Sequence, residues 1–89
     1  MEFEFDEQKS KTNKRKHGID FIEAQRIWSD LEHIEIPART VDESRYLVIG
    51  RIGEKCWSAV FTFREGKMRI ISVRRSRKEE IGIYEGKSI

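Results

Sequence analysis

Residues 45–75, RYLVIGRIGEKCWSAVFTFREGKMRIISVRR, decide the fold. Three runs rich in β-branched and aromatic residues, Arg45–Ile52, Lys55–Arg64 and Lys67–Arg75, are divided by Gly53-Glu54 and Glu65-Gly66, both of them hairpin turn signals. They predict an antiparallel meander. Along the middle run Trp57, Ala59, Phe61 and Phe63 point one way, toward the core, while Ser58, Val60, Thr62 and Arg64 point the other. The last run is less decisive, because its register depends on the length of the turn around Gly66. An odd turn is favoured: it sets Ile71 and Val73 beside Phe61 and Phe63, and puts Arg64 and Arg74 on the face of Thr62 and Ser72.

Upstream of the meander, Phe3 and Phe5 alternate with Glu2 and Glu4 at strand period, and Asp6 can cap a helix that runs to His17 and is ended by Gly18. Residues 7–17 contain no hydrophobic side chain. This helix must therefore lie on the surface through its lysine stems or face a charged partner. A second helix starts at the capping-box pair Asp20 and Glu23, with Phe21, Ala24, Trp28 and Leu31 as its core stripe. His33–Ile36 reads as a short strand and Pro37–Ser44 as a polar loop. Ser76 with Glu79 repeats the capping pattern before a short helix over Arg77–Tyr84, which Gly82 weakens by about 1 kcal/mol relative to Ala. The expected fold class is α+β: an antiparallel sheet meander with two N-terminal helices and a short C-terminal helix, in the order β-α-α-β-β-β-β-α.

At 89 residues the chain is expected to be one domain with one modest core. Charged residues are 38% and hydrophobics 37%, and two tryptophans, five phenylalanines and two tyrosines supply enough burial for a globular protein. Cys56 is the only cysteine, which excludes an intramolecular disulfide and CxxC zinc pairs. There is no apolar run near the length of a bilayer span, and Met1–Asp6 has neither a basic nor an apolar leader region, so a cytoplasmic location and no membrane partner are expected.

The formal net charge is only +2 at pH 7, yet the positive charge is gathered. Lys9, Lys11, Lys14, Arg15, Lys16 and His17 form one cluster without an acid, and Arg69, Arg74, Arg75, Arg77 and Lys78 form another. Patches of this kind meet polyanions. Gly-rich phosphate loops, HExxH, EF-hand and GxSxG motifs are all missing, so no cofactor and no metal site is expected. What remains suits phosphodiester chemistry without a metal: the 2′-hydroxyl of RNA attacks the adjacent phosphorus once a base takes its proton, cations stabilise the phosphorane, and an acid protonates the departing 5′-oxygen. His17 is the first candidate for proton transfer. Glu80 and Tyr84 share a face of the last helix and can act beside Arg74, with Arg64 and Arg69 on phosphate. Lys9, Asn13 and Lys16 form one helical row for phosphate contacts, and Arg45 and Arg75 add further cations.

The residues Asn13-Lys14-Arg15-Lys16-His17-Gly18-Ile19-Asp20-Phe21-Ile22-Glu23-Ala24, then Arg45-Tyr46 with Ile49-Gly50, Thr62-Phe63-Arg64, Arg69-Ile70-Ile71-Ser72-Val73-Arg74-Arg75, and Glu80 with Tyr84, resemble the BrnT family of bacterial toxins. The likeness spans nearly the whole chain. It implies a ribonuclease toxin of a type II toxin-antitoxin pair, with a RelE-like fold and an activity that degrades RNA and arrests translation. The implied partner is a BrnA-type antitoxin whose ribbon-helix-helix half binds operator DNA, so that the toxin meets DNA only through it. The rival expectation is a binding module for nucleic acid or antitoxin, without turnover, acting as a co-repressor subunit.

Overall fold

The computed structural model describes residues 2–38 and 44–86. They form β1 (Phe3–Glu4), α1 (Glu7–His17), a 3-10 helix (Glu23–Ser29), β2 (Ile34–Ala38), β3 (Arg45–Ile52), β4 (Lys55–Arg64), β5 (Lys67–Arg75) and α2 (Lys78–Gly86). One five-stranded sheet runs in the order β1-β5-β4-β3-β2. The class is α+β as expected, and β2 to β5 make the antiparallel meander. The sheet as a whole is mixed, which corrects the purely antiparallel reading. β1 joins in parallel beside β5, Phe3 opposite Met68, because that position lets Phe3 pack its ring 5.0 Å from Trp28. Most of the loop expected over Pro37–Ser44 lies outside the described residues, although Pro37 and Ala38 belong to β2.

The second N-terminal helix is also corrected. Asp20 and Glu23 do form the reciprocal capping box, with Glu23 N–H donating to Asp20 Oδ1 (2.7 Å) and Asp20 N–H to Glu23 Oε1 (2.9 Å). The turn they start is 3-10, and it ends at Ser29. The α-helical stripe therefore fails at its far end: Leu31 is 98% exposed, and Ile27 takes its place in the core. Ile27 packs with Ile19, Phe21 and Ala24 against Val48, Ala59, Phe61, Ile70 and Val73 on one face of the sheet. A smaller cluster of Ile49, Cys56 and Tyr84 lies under α2 on the other face.

α1 is capped as the residues require, with Lys9 N–H donating to Asp6 Oδ1 and Gly18 in the left-handed region at φ 79°. Its attachment is polar rather than through lysine stems. Asn13 Nδ2 donates to the carbonyls of Ile19 (2.8 Å) and Val73 (2.9 Å), and its Oδ1 accepts from Val73 N–H (3.2 Å). The amide thus behaves as a short extra strand against β5. Ser10 Oγ accepts from Phe21 N–H one turn earlier.

The β4–β5 turn is even, against expectation. Arg64 pairs with Lys67 across Glu65-Gly66, whose φ values of 52° and 79° are those of a type I′ hairpin. Phe61 and Phe63 therefore face Ile70 and Met68, and not Ile71 and Val73. A bulge follows: Phe61 pairs with Ile70 but Val60 with Ser72, leaving Ile71 as the extra residue. The bulge resets the parity of β5, so Val73 lies opposite Ala59 and Arg74 opposite Ser58. Arg64 and Arg74 consequently share the face of Thr62, as expected, but through an even turn and a bulge, and Arg69, opposite Thr62, joins them there instead of lying on the face of Val73.

Candidate nucleic-acid interface

Two adjoining depressions bring Lys9, Lys16 and His17 of the early cluster together with Arg69 of the late one and with Arg45 and Arg64. The larger, of about 460 Å³, is lined by Lys9 of α1, Arg45 and Tyr46 of β3, Thr62, Phe63 and Arg64 of β4, and Arg69 and Ile71 of β5. The smaller, of about 290 Å³, follows the seam between α1 and β5, with Lys9, Asn13, Lys16, His17, Ile71 and Ser72 among its walls. Lys9 and Ile71 belong to both, so the surface is continuous. The bulged residue sits at the join. Lys9, Lys16 and His17 are exposed there, one helical turn or two apart on α1.

The charges in this trough are unequal. Arg69 Nη1 lies 3.2 Å from Glu4 Oε2, an ion pair that β1 creates by its parallel register. Arg64 and Lys9 are exposed and form no ion pair with any described residue. Thr62 is buried, and its hydroxyl donates to the Ser44 carbonyl at 2.6 Å, fixing the start of β3 against β4 beside the cavity. Asn13 lines the smaller depression, but its amide is committed to backbone groups as described above.

Arg74, Glu80 and Tyr84 stand apart, in neither depression. Arg74 makes a two-pronged pair with Glu80, Nη1 to Oε1 at 2.8 Å and Nη2 to Oε2 at 2.7 Å. Glu80 Oε1 accepts as well from the Ser58 hydroxyl (2.9 Å) and from Arg77 N–H (2.8 Å). The expected Ser76–Glu79 cap is thereby shifted one residue: Glu80 reaches back to the helix start, and Ser76 Oγ bonds Ser58 Oγ instead. The Arg74 guanidinium, with smaller help from the Arg77 amide and Ser58, holds the Glu80 carboxyl down to about 2 although burial acts the other way. Tyr84 donates to Asp30 Oδ2 at 2.7 Å, and burial together with that bond pushes its phenol up to about 12. Asp30 also accepts from Arg51 N–H (2.8 Å), so this acid, which the sequence did not single out, ties α2 to the 3-10 turn and β3. Arg75 lies on the opposite face from Arg74, 5.6 Å over the Trp57 ring.

The aromatic row of β4 divides. Phe61 is fully buried and Trp57 half-buried, whereas Phe63 is 56% exposed, which corrects its assignment to the core. The helical layer covers Phe61 and stops short of the hairpin end. Among the described residues no three His, Cys, Asp or Glu side chains converge as a metal cluster would, and no helix is long and apolar enough to cross a membrane.

The chain belongs to the BrnT family: the family model described as the ribonuclease toxin, BrnT, of type II toxin-antitoxin systems matches residues 5–80. That span holds α1, the whole meander and the Arg74–Glu80 pair. Membership makes RNA the substrate and an antitoxin the partner at the level of the family. No curated protein matches the chain.

Proposed function

We infer that this chain is a single-domain, RelE-like endoribonuclease toxin that cleaves RNA without a metal, acts in the cytoplasm to inhibit translation, and is neutralised by a BrnA-type ribbon-helix-helix antitoxin that alone contacts operator DNA. The observation that carries this reading is the meeting of Lys9, Arg45, Arg64 and Arg69 in one cavity that runs without a break to Lys16 and His17. Cations on several sides of a cleft suit the phosphorane, whose charge spreads over oxygens pointing in different directions. His17 takes the 2′-hydroxyl proton, the new P–O2′ bond forms, the P–O5′ bond breaks, and the 5′-oxygen leaves with a proton from water or the imidazolium. Arg64 and Lys9 hold the scissile phosphate, with Arg45, Arg69 and Lys16 on its neighbours. Arg74, Glu80 and Tyr84 serve the site by holding α2 on the sheet.

Incubation of labelled RNA with the purified protein in EDTA tests the reading. Cleavage that survives chelation and falls at least a hundredfold in both Arg64→Ala and His17→Ala is the expected result, since a positioned proton-transfer group contributes roughly 10²–10⁴-fold. A second reading, binding without turnover as a co-repressor subunit, is favoured by one observation: Glu80, the carboxylate that the sequence offers for proton transfer, is locked to Arg74 outside both depressions. Retardation of RNA in a gel with no cleavage under any condition would select it.

A further inference from the structure

The sheet face that carries the cations falls into rows, and α2 covers only one of them. Ile34, Ile49, Ser58 and Arg74 pair in turn across β2 to β5 and lie under α2, with Ile49 and Ser58 buried. Glu80 stands on Arg74 and Ser58, and Tyr84 reaches the Asp30 carboxylate that holds Arg51 N–H, so the helix crosses the strands from β5 toward β3. The next row, Ile36, Leu47, Val60 and Ser72, is paired strand to strand in the same way but has no helix over it. Its three aliphatic side chains are half-buried and Ser72 is exposed. Beyond that row, toward the β4–β5 turn, come Arg45, Thr62 and Arg69 of the larger depression.

We propose that the row of Ile36, Leu47 and Val60 seats one amphipathic helix of the antitoxin, laid beside α2 with its apolar stripe on those three side chains and an acidic flank turned to Arg45 and Arg69. The inference rests on the reading of the neighbouring cations as the RNA site and adds how the partner closes it; family membership supplies the partner. The dimensions agree. Residues two apart on a strand are separated by about 7 Å, and helices pack about 8–10 Å apart, so a helix set against α2 comes down over this row and meets the cations with its far side. Four strands about 4.8 Å apart span roughly 14 Å, which a helix crosses in about ten residues, close to the nine of α2. Aliphatic side chains give a base no ring to stack on and a phosphate no donor, so the row suits protein better than RNA. Acids on one flank of the incoming helix complement the cationic side of the face and set its register. Strand addition at the free edge of β2 is disfavoured, because Pro37 has no N–H to donate.

The test is binding of a purified BrnA-type antitoxin to the chain, with a 2′-O-methyl single strand, which the protein cannot cleave, as the competing RNA. The Ile36→Gln, Val60→Gln double variant is expected to lose roughly tenfold or more in antitoxin affinity and to bind RNA as the wild type does, which also reports that it is folded. The Arg45→Ala, Arg69→Ala double variant is expected to weaken both ligands, and saturating antitoxin to displace the RNA. In the unmutated chain the methyl resonances of Ile36, Leu47 and Val60 are expected to shift with antitoxin and to hold still with RNA. Wild-type antitoxin affinity in either double variant, unmoved methyls, or a stable ternary complex overturns the docking proposal and leaves the RNA site standing. Methyls that shift with RNA, together with weakened RNA binding in the apolar variant, give the row to RNA and overturn the proposal as well. Failure of the antitoxin to bind the wild-type chain removes the partner reading itself.

Discussion

Glu80 reads in the sequence as a candidate for proton transfer, and in the fold it is the partner of Arg74. Its carboxylate takes three kinds of partner at once, a guanidinium, a hydroxyl and a helix-start amide. All of them favour the charged form, so its folded value of about 2 lies below the ordinary 4.5. The sign follows from linkage: a depressed carboxylate contributes stability that is complete above 4.5 and lost as pH falls toward 2. Thermal unfolding measured across that window is expected to show a steep acid limb in the wild type and a shallower one in Glu80→Gln. An unchanged limb in the variant would mean that the pair contributes nothing. Arg74→Ala leaves the acid without its main partner and is expected to cost about 2 kcal/mol at neutral pH, less than a fully buried pair because the guanidinium still meets solvent. Activity lost by that variant should return in step with folded protein when the temperature is lowered. Arg64→Ala, at an exposed position, should leave the unfolding midpoint unchanged.

Among the elements, α1 has the least ordinary attachment, since two small polar side chains seat a helix that has no apolar stripe. Asn13→Ala leaves the N–H and C=O of Val73 and the Ile19 carbonyl without their partner, at about 3 kcal/mol if each unsatisfied group costs roughly 1 kcal/mol. Hydrogen exchange is the measurement: Val73 and the amides of α1 should lose protection before β3 and β4 do, and uniform loss would contradict a local anchor. Gly50 is the matching steric point. A Cβ there meets the Ile27 carbonyl oxygen at 3.0 Å and His33 Cβ at 3.1 Å, so the 3-10 turn must shift. Gly50→Ala is expected to cost about 1–3 kcal/mol in denaturant titration. These cases mark what the sequence could convey. β3, β4 and β5 were legible to the residue, because alternation and two-residue turns are local signals. The bulge at Ile71 was not, since nothing in Arg-Ile-Ile-Ser distinguishes an extra residue from a regular one until the core faces of both strands must be satisfied together. Asn13 reads as one more polar residue on a basic helix, and its task depends on β5, sixty positions away. The cationic trough was legible as a set of residues, whereas its separation from Arg74, Glu80 and Tyr84 depended on α2 finding an anchor on the sheet.

Over the whole molecule, a nearly neutral chain achieves a polyanion site by distribution. The acids are placed to neutralise cations where the fold needs it, Glu4 on Arg69, Glu23 on Lys14 and Glu80 on Arg74. Arg64 and Lys9 keep their charge for the solvent side of the cavity, with Lys16 farther along the seam. A net charge of +2 predicts weak long-range attraction, while Lys9, Lys16, Arg64 and Arg69 gathered with Arg45 in one trough predict a strong local one. The two can be told apart by salt. If Lys9, Lys16, Arg64 and Arg69 each displace a counterion from single-stranded RNA, the logarithm of the binding constant should fall against the logarithm of salt with a slope near about −3, from roughly −0.7 per contact. A chain acting only through its overall charge gives a slope near zero at physiological salt, because the field beyond about 8 Å is screened. The Lys9→Ala, Arg64→Ala double variant should bring the slope to about −1.5 without changing the fold, as both side chains are exposed. A slope that stays at −3 in that variant would place the RNA elsewhere on the molecule.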